Sequence, residues 1–391
     1  MARILFIASR PPFPPIGGDR LKNYWLLKIL SKHFDVHLVS IAEEDPPEEF
    51  FKWLNSLNIT YKLFRKPKAE FYLNALMNIN NQLPIQVNYY FFQDVKNYIN
   101  SIYKNYDLIF STLVRTAKYA IDIDKPKILD MADSIGLNYL RSFNKSTSTF
   151  WKLIYKFEAN RLLQFEKLCI DCFDKTLFFN QEERNYFEKE EKTAWIPHGV
   201  NESLLNYNKT DNQYKNWIVF FGKMNYQPNI DAALWFTKNV LPLLREDLTF
   251  GIIGAYPTKQ LLELERKHPN VKVTGFVDDP YIILKSALCV VAPMQTGGGI
   301  QNKILESMAL GTINIVSSLA AKPIGGINMR DFIVEDQPQK IANIINDIPY
   351  NPKRYNHIKT FSRDFIKNNF TWSIYEQNML CIINEVLSKH Q

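Results

Sequence analysis

Short apolar runs recur along the chain, and the segments between them carry helical spacing. Ile4–Ala8 is apolar at every position, the pattern of a parallel strand covered on both faces, and helical periodicity begins near Leu21. Val36–Ile41, Leu108–Phe110, Lys127–Asp130 and Thr176–Phe179 continue the series as predicted strands. A polar stretch rich in Asn and Lys follows at 206–216, and the pattern then restarts with Trp217–Phe221, Phe250–Gly254, Val271–Gly275, Leu288–Pro293 and Ile313–Ser317. Strand alternating with helix in two successive series predicts an α/β chain of two Rossmann-like, doubly wound domains. The expected boundaries are a first domain over 1–205, a linker over 206–216 and a second domain over 217–371. A final amphipathic helix over 372–391, with Ile374, Met379, Ile382, Ile383 and Val386 on its packing face, is expected to cross back to the first domain.

Composition narrows the function without naming it. With 46% hydrophobic residues in a chain of 391, a disordered or fibrous protein is excluded. Forty-seven Lys and Arg against 40 Asp and Glu leave a formal charge of +7, shared nearly equally between the two halves, so neither half reads as a nucleic-acid grip. The balance suits an anionic small molecule or a peripheral contact with an acidic membrane surface. The basic and aromatic run Tyr61–Lys68 fits either that contact or a solvated strand edge.

The four cysteines are too few for a disulfide framework, and the Cys169-x-x-Cys172 pair, lacking a second ligand pair, reads as helix packing. No run reaches the 18 apolar residues of a membrane span, and the first apolar run is short enough to be a strand. The expected location is cytoplasmic, with at most peripheral contact at the inner face of the cell membrane. No metal-ligand set is visible.

The segment richest in chemistry is Thr296–Gly311, where Gly297, Gly298 and Gly299 join a predicted strand to a helix starting near Ile300. Glycines let the backbone turn sharply and let a ligand come close, while a helix start aims N–H groups at that gap. Together these make a phosphate site in physical terms. Glu306, two turns into the helix, is suited to accept hydrogen bonds from the hydroxyls of a ribose, or else is a solvated helix-face carboxylate.

Four ordered segments then carry a resemblance. They are Arg10–Arg20, Phe221–Asp231, Val273–Asp279 and Gly299–Glu306, which is followed by Ser307–Gly311 and an apolar strand. The chain resembles glycosyltransferase family 4, the group 1 retaining enzymes of the GT-B fold, and more closely the sugar transferases of bacterial exopolysaccharide systems. The resemblance implies transfer of a sugar from a UDP- or GDP-sugar to a glycan or lipid-linked acceptor, with no cofactor and no metal.

It further implies that Glu306 holds the donor ribose and that Ile300, Gln301 and Asn302 meet the diphosphate through backbone N–H groups. Gly298 stands where the family carries the first Glu of its E-x7-E motif, Lys223 after Gly222 where it carries Arg, and Asn229 where it carries Lys. Lys303 is then either a replacement charge or a solvated side chain. Lys223 is expected to stabilise the leaving diphosphate.

In the first domain Gly17 and Gly18 occupy the family's acceptor loop, and Arg20 is placed to reach an acceptor phosphate or to sit at the surface. Asp130 and Asp133, the expected catalytic carboxylates of this domain, end a strand where the family commonly has a His that contacts the donor sugar, with a turn role the alternative for Asp133. His198, in Pro197–Asn201, is expected at a hinge facing a cleft between the domains. Two other readings stay open. One is a nucleotide-sugar binder or scaffold that has lost turnover. The other is a dinucleotide oxidoreductase, disfavoured because Pro11, Pro12, Pro14 and Pro15 follow the first strand where a pyrophosphate needs N–H donors.

Overall fold

A computed structural model of the chain describes residues 1–15, 18–78, 80–145, 149–297 and 299–390, with the side chains of 142, 144, 145 and 149–155 left aside. The described residues fall into two compact units, one of residues 1–197 with 376–391 and one of residues 198–375.

The first unit is built on a parallel sheet of β1 (Arg3–Ala8), β2 (Asp35–Ala42), β3 (Thr60–Arg65), β4 (Leu108–Thr112), β5 (Lys127–Ala132), β6 (Lys175–Phe178) and β7 (Thr193–Trp195), in the order β3-β2-β1-β4-β5-β6-β7. Its apolar runs are strands because both faces are covered: Ile4, Leu5, Phe6, Leu108, Ile109 and Phe110 are all fully buried. β3 falls on the Tyr61–Lys68 run and is an edge strand, which explains its charges; its residues are exposed or half-buried. The helix Trp372–Ser388 starts in the second unit, and its residues from Glu376 on belong to the first. There Glu376 accepts from Lys32 and His33 at 2.8 Å each, and Met379, Ile383 and Val386 are buried.

The second unit carries β8 (Trp217–Phe221), β9 (Thr249–Ile253), β10 (Val271–Gly275), β11 (Cys289–Ala292), β12 (Asn314–Val316) and β13 (Ile333–Val334), ordered β10-β9-β8-β11-β12-β13 and parallel throughout. The order reverses between β8 and β11, so the crevice at their carboxyl ends is the topological switch point where open α/β sheets bind ligands.

One boundary differs from expectation. The 206–216 stretch is not a free linker: Tyr207 Oη donates to Asp279 at 2.8 Å and the Asp211 N–H to Ser286 Oγ at 2.7 Å, so it is tied down inside the second unit. The change of unit falls earlier, between Pro197 and His198. Polar composition marked a surface segment, and one side chain and one backbone N–H anchor it locally.

Candidate functional site

At the switch point of the second unit the backbone is shaped by glycine. Gly222, at the end of β8, has φ 154°, and a Cβ there would lie 2.8 Å from Asn229 Nδ2. Its N–H donates to the Ile253 carbonyl at 3.0 Å, and a Cβ on neighbouring Gly254 would lie 1.7 Å from the Gly222 oxygen, so only glycine lets the ends of β8 and β9 close up. Across the crevice, Gly297 (φ 104°) and Gly299 (φ 72°) turn the chain after β11. Gly298, like Gly17, lies outside the described residues.

The helix that follows is Asn302–Ala309, two residues later than the sequence predicts. The extended conformation of Gln301 (φ −95°, ψ 107°) sets the start, making Gln301 the N-cap and leaving Ile300 in the loop before it. Gln301 supplies no side-chain cap to the helix, and its carbonyl accepts from the Ile304 N–H at 2.9 Å, so the N–H groups of Asn302 and Lys303 are not met by a capping side chain.

Three side chains surround this helix start. His198 Nε2 pairs with Asn302 Oδ1, which places the expected hinge histidine against the first helical residue. Lys303 is 9% exposed, and its side chain folds inward: Nζ donates to Asn229 Oδ1 and lies 3.4 Å from Met294 Sδ and 4.6 Å from the centre of the Phe220 ring. The reading of Lys303 as a solvated residue is thereby corrected. Burial with no carboxylate beside it drives its pKa down to about 7. Asn229, itself buried, passes the contact on, donating from Nδ2 to the Lys223 carbonyl at 2.9 Å. Lys223 is exposed, with Nζ 5.7 Å from the centre of the Tyr256 ring.

Glu306 is half-buried on the same helix and accepts a hydrogen bond from Tyr281, and burial raises its carboxyl pKa to about 7. Tyr281 was not among the residues expected in the site. Its signal was the Val273–Asp279 motif, which ends two residues before it. Phe276, at the end of β10, leaves 74% of its surface exposed.

The first unit treats its acidic candidates differently. Asp130 is 1% exposed and forms an ion pair with Lys22, whose Nζ lies 3.7 Å from the centre of the Phe179 ring. Lys22 holds the carboxylate through Oδ1, while Oδ2 is buried and meets no hydrogen-bond partner among the described residues. Asp133 is half-buried, and burial raises its pKa against the pull of Lys22 and Arg141.

Its turn is built by two glutamates that the sequence did not single out. Ala132 sits at φ 64°, the Ser134 N–H donates to Glu183 Oε2 at 2.6 Å, and Ser134 Oγ donates to Glu166 Oε2 at 2.6 Å. The Gly136 N–H donates to Glu166 Oε1 at 3.1 Å, and Arg141 donates to Glu183 Oε1 at 2.6 Å. Burial raises both glutamates to about pKa 7.

Gly18 opens the helix Gly18–His33, and a Cβ there would meet nothing within 4 Å. Arg20 is half-buried and lines a pocket of about 360 Å³ in the first unit with Arg10, Phe13, Tyr90 and the acidic Glu43, Glu44 and Asp45. Its mixed charge does not single out a phosphate. Among the described residues, no group of three or more His, Cys, Asp or Glu is placed to hold a metal, and no helix is long and apolar enough to cross a membrane.

Residues 215–349, which hold the strand-end glycines, Lys303 and Glu306, match the family model of glycosyl transferases group 1. The second unit carries a group 1 glycosyltransferase domain. Over 384 residues the chain is 23% identical to an uncharacterized 44.6 kDa protein in the cps region of Klebsiella pneumoniae, covering 95% of this chain and 97% of that one.

Among solved structures, HepE (Alr3699) of Anabaena in complex with UDP aligns with TM-score 0.67 and 14% identity over 98% of this chain and 100% of its own. HepE has also been solved with UDP and glucose and with UDP-glucose. Sucrose-phosphate synthase of Thermosynechococcus elongatus aligns with TM-score 0.69 and 15% identity over 100% of both chains. These likenesses show the fold: two parallel-sheet, Rossmann-like domains of the GT-B class.

Proposed function

We propose that the protein is a retaining glycosyltransferase of surface-polysaccharide or glycoconjugate synthesis, moving a sugar from a nucleoside-diphosphate sugar to a glycan or lipid-linked acceptor. The observation that carries the reading is one crevice. At the β8/β11 switch point, strand ends stripped of Cβ atoms face a helix whose first turn has no side-chain cap, with Glu306 a turn further on. The helix start and the glycine-rich turn suit a diphosphate, and Glu306 suits the hydroxyls of the adjoining ribose.

The UDP complexes of HepE and the capsule-region setting of the Klebsiella relative support a nucleotide donor and a polysaccharide role. In this reading Lys223 stabilises charge growing on the leaving diphosphate, which in turn takes the acceptor's proton. Asp133 lies in the first unit, which presents the acceptor, and the acceptor-side residues are Gly17 and, in the first turn of helix Gly18–His33, Gly18 and Arg20.

The test is a panel of UDP- and GDP-sugars, read by calorimetry for binding and by mass spectrometry for transfer to extracted lipid-linked acceptors. Binding of one nucleotide and a product heavier by one sugar is the expected outcome. Absence of binding by every nucleotide overturns the reading. Binding without transfer or donor hydrolysis moves the protein to the scaffold alternative, which Gly298 in place of the motif's first Glu keeps in view.

A further inference from the structure

We propose that Lys303 is a protonation-coupled ligand for the donor diphosphate: it stands at the switch-point crevice with no anion of its own, and docking of the diphosphate charges it. The inference rests on the donor reading above and adds to it a proton taken up on binding.

The geometry is that of a cation awaiting a partner. Lys303 is 9% exposed and makes no ion pair with any described residue. Its polar contacts are the Asn229 carbonyl oxygen and Met294 Sδ, neither of which carries charge. A Cβ on Gly222 would lie 3.7 Å from Nζ, so the missing side chain at the end of β8 opens the approach to it. Such a group costs stability in the empty protein, which makes sense if a ligand relieves it.

The titratable groups around it do not discharge this cost. On its own helix Glu306 is engaged with Tyr281 from helix Tyr281–Ser286, and His198 pairs with Asn302. Lys223 is exposed over Tyr256. Lys359 and Arg363 of helix Pro352–Asn369 face the far end, where Arg363 abuts Gly311 and Lys285 donates to the Leu310 carbonyl. Burial is the cause of the depressed Lys303 pKa of about 7. A diphosphate within reach favours the charged form, so at pH 8 an amine largely neutral in the free protein binds a proton from solvent as the complex forms.

The experiment is calorimetric titration of the full chain with UDP and with GDP, at pH 7.0 and 8.5, in two buffers of different protonation enthalpy. For the nucleotide that binds, we expect uptake of roughly 0.5 to 1 proton per ligand at pH 8.5 and a Kd about tenfold weaker than at pH 7.0. Over this range the nucleotide's terminal phosphate, with a pKa of about 6, is already mostly ionised and works against that trend.

Lys303→Met should weaken binding at least about tenfold and abolish the uptake. The swap Asn229→Lys with Lys303→Met should recover most of the affinity, because the two side-chain tips meet and the ammonium returns to nearly the same place. Nucleotide binding by the wild type with equal heats in both buffers overturns the inference and leaves the donor reading standing, as does undiminished binding by Lys303→Met. No binding of either nucleotide to the wild type overturns both.

Discussion

Both units set a helix after a strand end on a parallel sheet, and they treat its positive terminus in opposite ways. In the first, helix Ile135–Lys145 has its entry filled by the protein's own acids: Glu166 and Glu183 take the N–H groups of Gly136 and Ser134 and the Ser134 hydroxyl. In the second, helix Asn302–Ala309 begins after glycine with no side-chain cap, and the charged group buried beside it is a lysine. A terminus capped by side chains fixes a turn, and one without a side-chain cap, with a cation next to it, suits an anion from outside. The same local fold thus does structural work in one unit and, in the proposed reading, receives the donor in the other.

The largest effect that tests this contrast is on stability. Glu183→Ala leaves the buried Ser134 N–H without an acceptor and Arg141 without its ion-pair partner, so we expect a loss of about 2 to 4 kcal/mol by denaturant unfolding. The pH dependence has a definite sign. Both glutamates titrate at about 7 in the fold against an ordinary 4.5, so the folded first unit holds more protons than the unfolded chain between those values. Their contribution therefore falls as pH rises from about 4.5 to 7, and Glu183→Gln should flatten that decline. A Glu183→Ala variant as stable as wild type would mean that the entry is not held from within.

The second unit should respond in reverse. Lys303→Met replaces an unpaired buried ammonium by an apolar chain of similar length, and in the absence of ligand it should stabilise the protein by about 1 to 3 kcal/mol at pH 6. With a folded pKa of about 7 against 10.5 unfolded, the unfolded chain binds more protons between those values. Wild-type stability thus gains with pH there, and the advantage of the variant shrinks toward pH 10. Thermal melts of both proteins across pH 6 to 10 check this, and a destabilised Lys303→Met would show the lysine to be a structural element like Lys22.

How much of this contrast the sequence carries depends on the kind of signal. Two-sided burial writes itself as apolar runs, so the central strands and the two-fold alternation of strand and helix were readable from Ile4–Ala8 onward. β7 and β13 were not, because strands as short as Ile333–Val334 have no period to detect, and β3 was legible only as one of two readings of Tyr61–Lys68, because an edge strand such as Thr60–Arg65 carries charge. The glycine turn and Glu306 were legible as a motif. Invisible were the contacts joining residues far apart in the chain. Lys303 meets Asn229 and Lys22 meets Asp130 only because strand order brings their elements together, and that decided which was a solvated side chain, which a structural pair and which a buried cation. Glu166 and Glu183 sat in ordinary helical patterns with nothing local to mark them.

A smaller effect sharpens the ligand side of the comparison. Glu306→Gln keeps the shape and removes the charge-assisted acceptor, so affinity for the bound nucleotide should fall by about tenfold, while the matching 2′,3′-dideoxynucleotide should bind both proteins alike. Equal loss for both ligands would mean that Glu306 acts through Tyr281 and the fold, without touching a ribose.

The smallest expected effect concerns Lys223. It is exposed over Tyr256, in contrast to the enclosed Lys303, so water screens it until a donor covers it. Lys223→Ala should therefore leave nucleotide Kd within about twofold and lower kcat several-fold, because charge on the leaving oxygen grows only as the sugar departs. The two lysines then divide the work: the enclosed one holds the diphosphate from the start, and the exposed one contributes as the bond breaks. The salt dependence should divide in the same way, with the contribution of Lys223 to kcat falling between 50 and 500 mM salt at saturating donor, about as expected for an exposed charge, while binding through Lys303 changes less. A Lys223→Ala variant that loses affinity as strongly as Lys303→Met would erase the distinction between buried and exposed charge on which this division rests.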